Sequence, residues 1–286
     1  GGNMKRQKLS ALIILWVSAA VLVIVSVHIC CIDRGYSEVS FIDVGEADSA
    51  FIKTRHHSAV LIDGGNTGSG ANTLIPYLRS KFTGRLDAVF VSHMHDDHMN
   101  GIIELINSGF PISRIYVAKS SGACGALSKP AAQHGIPISE IGKGAAVDID
   151  NARFTVLSDG YSAVDDDDND RSLILRLDCG KNSFLFTGDA TVNEENEILN
   201  DKNLDVDFLK VGHHGSKTSS GSNFIGKTSP KLAIISVGST NPHKHPSSQT
   251  LKTLKHYNVP ILRTDQSGTI TITMTEDDIR NIAVSR

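Results

Sequence analysis

The chain has 286 residues, room for one large domain or two small ones, and its 40% hydrophobic content allows a sizeable core. Setting aside Lys5, Arg6 and Lys8, which flank an uncharged run, leaves 25 basic against 31 acidic side chains, a net charge of −6. That balance excludes a dedicated nucleic-acid binder with a broad basic face, so any nucleic acid has to be gripped locally.

Gly1-Gly2-Asn3 precede the first Met and read as a cloning remnant, so residues 1–8 are taken as remnant plus basic flank. Leu9 to Ile32 contains no charged side chain and is long enough to cross a bilayer as one helix. The basic flank predicts a cytoplasmic N-terminus with the remainder outside the cell membrane. A cleaved signal sequence, giving a secreted protein, is the alternative. The run exceeds a usual signal-peptide apolar region and lacks a small-x-small cleavage site, which favours an uncleaved anchor. Residues 36–286 show no linker, repeat or shift of composition and read as one domain.

Glu38 to Val44 alternates like a strand, Gly45-Glu46-Ala47-Asp48 is a turn, and Ser49–Thr54 and Ala59–Ile62 are two more strands. His56 and His57 fall on the tip between those two and read as solvent-facing. Asp63-Gly64-Gly65-Asn66 ends the third strand, and its two glycines predict backbone packed close to a neighbour. Ala71 to Phe82 has helical spacing. Leu86 to Ser92 is a buried strand running into Ser92-His93-Met94-His95-Asp96-Asp97-His98, with helical spacing again over Gly101 to Ile106. A ligand-rich turn at a strand's carboxyl end is where α/β sheets place chemistry. Three imidazoles and a free carboxylate within six residues are the donor types for zinc and similar divalent ions. His93 and His95 are able to point one way and Asp97 and His98 another, so one loop serves two adjacent metals.

Ile112 to Ala118 is a strand, followed by a glycine-rich linker and a helix near Ala126 to His134, with His134 as a surface capping residue before Gly135. Val147 to Leu157 returns to strand character. Asp165 to Asp170 forms an acidic loop entering the strand at Leu173–Leu177. Ser183 to Asp189 is a strand ending in Gly-Asp, and Ala190 to Leu199 is a helix. Val206 to Gly212 ends in His213-His214-Gly215-Ser216. Leu232 to Val237 leads to a loop carrying His243 and His245. Ser247 to His256 is a helix, and Pro260–Asp265 and Thr269–Met274 close the sheet. Cys124 and Cys179 either pair or remain buried thiols. Four strand ends thus carry ligand-type residues, and one shared metal site explains them.

The His-x-His-x-Asp-His loop with the later Gly188-Asp189 resembles the metallo-β-lactamase superfamily. Phe41-Ile42-Asp43-Val44-Gly45-Glu46-Ala47-Asp48-Ser49, Leu209-Lys210-Val211-Gly212-His213-His214-Gly215-Ser216, the loop with Gly238, Asn241 and His245-Pro246, and Arg263-Thr264-Asp265 with Gly268 narrow the resemblance. They are similar to the hydrolase domain of ComEC/Rec2-type DNA-uptake proteins and its free-standing relatives. Three departures stand out. The many transmembrane helices of an uptake channel are absent, Glu46-Ala47 replaces Gln-Gly, and no separate third-motif His is present, a position for Asn169, Asp170 or water.

The resemblance implies an α/β fold, an αββα sandwich, behind the N-terminal transmembrane helix. It implies two divalent ions, Zn²⁺ or Mn²⁺. His93, His95 and Asp189 would hold one, and Asp97, His98, Asp189 and one of His213 and His214 the other, with His213 slightly preferred on strand alternation. Two such ions roughly 3.5–4 Å apart clamp a phosphate and activate a water. Asp97 or Asp96 would steer that water. His245, with Ser216 and Lys217, would stabilise or protonate at the transition state, and His243 is a loop residue. The expected activity is a phosphodiesterase or nuclease acting on DNA outside the membrane. A wall-polymer or phosphocholine-type phosphodiester, or a non-enzymatic metal-bearing module, are the other readings.

Overall fold

In a computed structural model of the chain, residues 8, 11–23, 35–119, 125–160 and 171–286 are described. Residues 11–23 are helical (α1), and among the described residues no helix is long and apolar enough to cross a membrane. Much of the expected span, including residues 24–32, lies outside the described residues, as do Cys124, Asn169 and Asp170.

The strands are, in chain order, Ser37–Phe41 (β1), Ala50–Lys53 (β2), Ala59–Ile62 (β3), Ala88–Val91 (β4), Ile115–Ala118 (β5), Ile138–Ile141 (β6), Ala146–Ile149 (β7), Ala152–Ser158 (β8), Ile174–Cys179 (β9), Asn182–Phe186 (β10), Phe208–Lys210 (β11), Leu232–Ile235 (β12), Ile261–Arg263 (β13), Ile270–Met274 (β14) and Ile279–Val284 (β15). They form two mixed sheets, ordered β15-β14-β1-β2-β3-β4-β5-β6 and β13-β12-β11-β10-β9-β8-β7. The helices are Ile75–Ser80 (α2), Asp96–Asn107 (α3), Gly125–Gln133 (α4), Val192–Glu197 (α5), Ser222–Thr228 (α6), Ser248–His256 (α7) and Thr264–Ser267 (α8).

Strands such as Ala88-Val89-Phe90-Val91 are apolar throughout because both faces are buried. Phe90 packs inward with Phe41, Phe154, Phe184 and Phe186 between the sheets. Val89 and Val91 face outward under α3, with Ile102, Leu105 and Ile106. On the other sheet Leu185, Leu209 and Ala233 lie under Phe224, Ile225 and Leu254 of α6 and α7. The layers are therefore helix, sheet, sheet, helix, the αββα sandwich expected from the resemblance.

Several elements differ from their sequence reading. Residues 147–157 are a hairpin, β7 and β8, turning at Asp150, whose φ of 55° suits an Asp better than a branched residue. β6 and the edge strand β15 were not evident from periodicity. α3 begins at Asp96 rather than near Gly101, because Asp96 and Asp97 fill its first turn, where carboxylates favour the helix dipole.

Candidate metal centre

β1 runs antiparallel to β2 and β2 to β3, while β3 and β4 are parallel, so β1, β3 and β4 end at the same edge. β10, β11 and β12 are parallel to one another. The loops leaving these six ends meet, and they carry every cluster residue. The first loop is held against its neighbour by backbone contact. Gly64 N–H donates to His98 O at 2.7 Å and Gly101 N–H to Gly65 O at 3.0 Å. A Cβ on Gly101 would lie 1.8 Å from Gly64 O. The glycines after β3 thus seat the helix that presents Asp97 and His98, as their pairing in sequence suggested.

Asp97, His98, Asp189 and His214 each offer a ligand atom, all within 4.8 Å of one another. His98 Nε2 stands 3.3 Å from Asp189 Oδ1 and 3.7 Å from Asp97 Oδ2. His214 Nε2 stands 3.1 Å from Asp97 Oδ2 and 4.0 Å from Asp189 Oδ2. Each imidazole is fixed through its far nitrogen. His214 Nδ1 donates to Ser236 O at 3.0 Å, with Asp48 Oδ1 at 3.4 Å, and His98 Nδ1 lies 3.0 Å from Asp63 Oδ2. Both Nε2 atoms therefore face the cluster, the usual arrangement of a metal-ligating histidine, whose Nε2 offers its lone pair once the proton there is displaced. His93 and His95 adjoin, with His93 Nε2 and His95 Nδ1 3.0 Å apart and the His93 ring 4.1 Å from that of His98.

Those residues fit a cation. His98 Nε2 and Asp189 Oδ1 are buried, face each other and lack a hydrogen-bond partner, an expensive arrangement unless something else satisfies both. Burial opposes charge on His98, yet Asp189 and Asp63 raise its pKa well above the ordinary value. Burial likewise opposes charge on His214, while Asp189 and Asp48 push it up to about 10. Asp189 overcomes its own burial and is held well below the usual carboxylate range by His98 and His214. Asp97 is lowered too, against burial, by its bond to His214 and by His98. The pocket thus draws positive charge inward.

The structure brings His214, and not His213, into the four-residue cluster. His214 is 3% exposed, whereas the His213 side chain is 26% exposed with Nε2 3.6 Å from Asp189 Oδ2. The strand-alternation argument for His213 fails because β11 stops at Lys210 and both histidines adopt positive φ in a short 3₁₀ turn. Asp97 rather than Asp96 faces the cluster, since Asp96 is exposed. Ser216 is buried with its hydroxyl on Thr218 Oγ1 at 2.9 Å, which shapes the loop. Lys217 is exposed and makes no contact with the cluster among the described residues. His245 stands beside the cluster, its ring 5.7 Å from that of His213 and 6.3 Å from that of His214. Burial, then His214 and His213, hold its pKa down at about 4, so it is neutral near pH 7. His243 and His134 are exposed loop residues, as read. His56 is exposed but pairs with Asp150, its Nδ1 at 2.5 Å from Oδ1, and His57 is half-buried.

Several supporting residues escaped the sequence reading. Asp63 holds His98. Asp48 is 4% exposed, lies 2.5 Å from Lys210 Nζ and turns its other oxygen toward His214. Ser172 Oγ accepts the Asp189 N–H at 3.1 Å. Asp48, Asp63 and Lys210 sit in quoted motifs, but only proximity reveals their roles.

Residues 42–239 match the family model described as the metallo-beta-lactamase superfamily. Over 93% of its length the chain is 34% identical to ComE operon protein 3 of Bacillus subtilis (strain 168), and it covers 37% of that protein. It is 27% identical to Competence protein ComA of Neisseria gonorrhoeae over 80% of the chain and 31% of that relative. The chain thus spans well under half the length of these curated relatives. Among solved structures, the metallo-beta-lactamase fold protein YhfI from Bacillus subtilis aligns with a TM-score of 0.58 at 12% identity, over 82% of this chain and 99% of that one. A diphosphatase of the PhnP family aligns at 0.52 and 12% identity, over 84% and 98%, a likeness of fold alone. With its two-sheet sandwich and its His/Asp cluster at the shared strand ends, the chain belongs to the metallo-beta-lactamase superfamily and is related to competence proteins.

Proposed function

We propose that the chain is a metal-dependent phosphodiesterase, using two divalent ions, Zn²⁺ or Mn²⁺, to cut DNA on the outer face of a membrane to which Leu9–Ile32 anchors it. The observation that carries the metal-dependent part is the facing pair of buried, unsatisfied atoms, His98 Nε2 and Asp189 Oδ1. The DNA part rests on the competence relatives and on the motif resemblance.

Asp97, His98, Asp189 and His214 would hold one ion, and His93 and His95, with Asp189 shared, the other. Bound there, divalent ions supply Lewis-acid polarisation of a phosphoryl oxygen and a water acidic enough to attack near neutral pH. Asp97 is the most open side chain of the four-residue cluster, 28% exposed, and orients the attacking water. His213, half-buried at the rim, contacts the phosphate. His245 stands over the same space and takes part in proton transfer. Lys217 supplies a local cation for a polyanion that the domain's net charge of −6 otherwise repels. That charge also supports a second reading, a small or locally bound phosphodiester such as a phosphocholine-type head group or a wall-polymer linkage.

The test is turnover by the full chain, stripped of metal and reloaded with Zn²⁺ or Mn²⁺. Its substrates are single-stranded DNA, double-stranded DNA, bis-p-nitrophenyl phosphate and p-nitrophenylphosphorylcholine. Metal-dependent cleavage of DNA supports the first reading. Cleavage of the choline ester without DNA supports the second, and no phosphodiester turnover with either metal rejects both.

A further inference from the structure

Glu46 stands in the turn after β1 and reaches across to the loop after β12, which belongs to the other sheet. Its Oε2 accepts the Gly238 N–H at 2.7 Å, and its Oε1 lies 3.2 Å from His245 Nδ1. The two loops touch at this point, since a Cβ on Gly238 would lie 2.6 Å from Glu46 N. Asn241 secures the rest of the loop. Its Oδ1 accepts the His245 N–H at 2.7 Å, and its Nδ2 donates to His245 O at 3.1 Å and to Gly238 O at 3.0 Å. The backbone of His245 is therefore set by Asn241 and its ring by Glu46.

A carboxylate only accepts, and a neutral imidazole carries a single ring proton. One Glu46 oxygen already accepts a backbone N–H, and the other faces Nδ1. The proton between them therefore belongs to Nδ1, and Nε2 is left with its lone pair on the side of the ring away from Glu46. We propose that Glu46 is a positioning residue that fixes His245 as the Nδ1–H tautomer, so that His245 meets the attacking water as a proton acceptor. In that step the water O–H bond breaks and an Nε2–H bond forms, the electron pair left on oxygen makes the new bond to phosphorus, and the P–O bond to the leaving oxygen breaks, that oxygen departing with its electron pair and taking up a proton from Nε2–H or solvent. Glu46 then faces the imidazolium it helped to orient, as the carboxylate behind a catalytic histidine does. This role in turnover rests on the proposed phosphodiesterase reading; the tautomer does not.

Substituting Glu46→Gln tests the assignment with a change of a single atom type. The amide oxygen must still accept from Gly238, which turns the NH₂ toward Nδ1 and forces the proton onto Nε2. The readout is long-range ¹⁵N–¹H correlation on the Zn²⁺-loaded full chain with ¹⁵N-labelled histidine, His245 being assigned from the His245→Ala spectrum. The wild type is expected to show Nδ1 protonated and Nε2 bare, and E46Q the reverse. E46Q should keep its metal and its KM while kcat falls on the order of 10²-fold, the usual scale for a general base. An Nε2–H tautomer in the wild type overturns the proposal without any variant, and so does a tautomer unmoved in E46Q. An unchanged kcat in E46Q overturns the acceptor role. A wild type that turns over no phosphodiester overturns the substrate reading, and the spectrum still decides the tautomer.

Discussion

Two histidines of the cluster are each backed by an aspartate from another strand end: His98 by Asp63 and His214 by Asp48. Such partners fix the ring and raise its basicity, and their loss costs about 10–100-fold in metal affinity. Asp48→Asn and Asp63→Asn are each expected to weaken Zn²⁺ binding by that factor in a chelator competition, with the circular dichroism spectrum unchanged. Undiminished affinity in both would remove their supporting role. Protons compete for the same lone pairs. Without metal, His214 has a pKa pushed up to about 10, so near pH 7 it carries a proton that a metal must displace. Zn²⁺ added to the metal-free chain in weak buffer should therefore release protons, and apparent affinity should climb as pH rises from 7 toward 10. A titration that releases no protons would contradict the assignment of His214 as a ligand. The His/Asp cluster was legible in the sequence because His93 to His98 pack four donor-type side chains into six residues. Asp48 and Asp63 were not, because a lone Asp at a strand end looks the same whether it supports a histidine or caps a turn. The choice between His213 and His214 was not legible for a related reason, since strand alternation does not extend past Lys210 into the turn that carries both.

Among the elements, α3 matters most, because its first turn delivers Asp97 and His98 while its second turn lies on the Gly64-Gly65 backbone. Gly101→Ala would drive a methyl group against Gly64 O, and overpacking of this kind costs typically about 1–3 kcal/mol. The variant should show a lower urea midpoint and, because the helix has to shift, reduced metal occupancy. A variant with wild-type midpoint and occupancy would mean that the contact is not binding α3 in place. Most strands were readable from short apolar runs bounded by Gly, Asp or Pro. The β7–β8 hairpin was hidden because its turn, Asp150-Asn151, interrupts the apolar pattern by only two residues. β15 was hidden because all of its residues are exposed, so its sequence lacks an alternating apolar face.

For the whole molecule, the basic flank before Leu9 predicts a chain whose folded domain lies outside the cell. Protease added to intact cells should digest the domain while a cytoplasmic control survives. A domain protected until lysis would reverse the orientation. The strand directions add a consequence for how such an enzyme meets its substrate. β1 starts at the end of the sandwich opposite the metal centre, since the loop after Phe41 contributes to the site and Ser37 lies five residues back. Only Asp33-Arg34-Gly35 separate Ile32 from Tyr36, a link of at most roughly 14 Å. If Leu9–Ile32 is anchored as proposed, the domain would be tethered at the end where β1 begins, and the site would open about 17 Å of strand away from that end. A site so tethered would sweep a thin layer over the membrane, and its working rate would be set by the local crowding of substrate in that layer rather than by its concentration in the bulk.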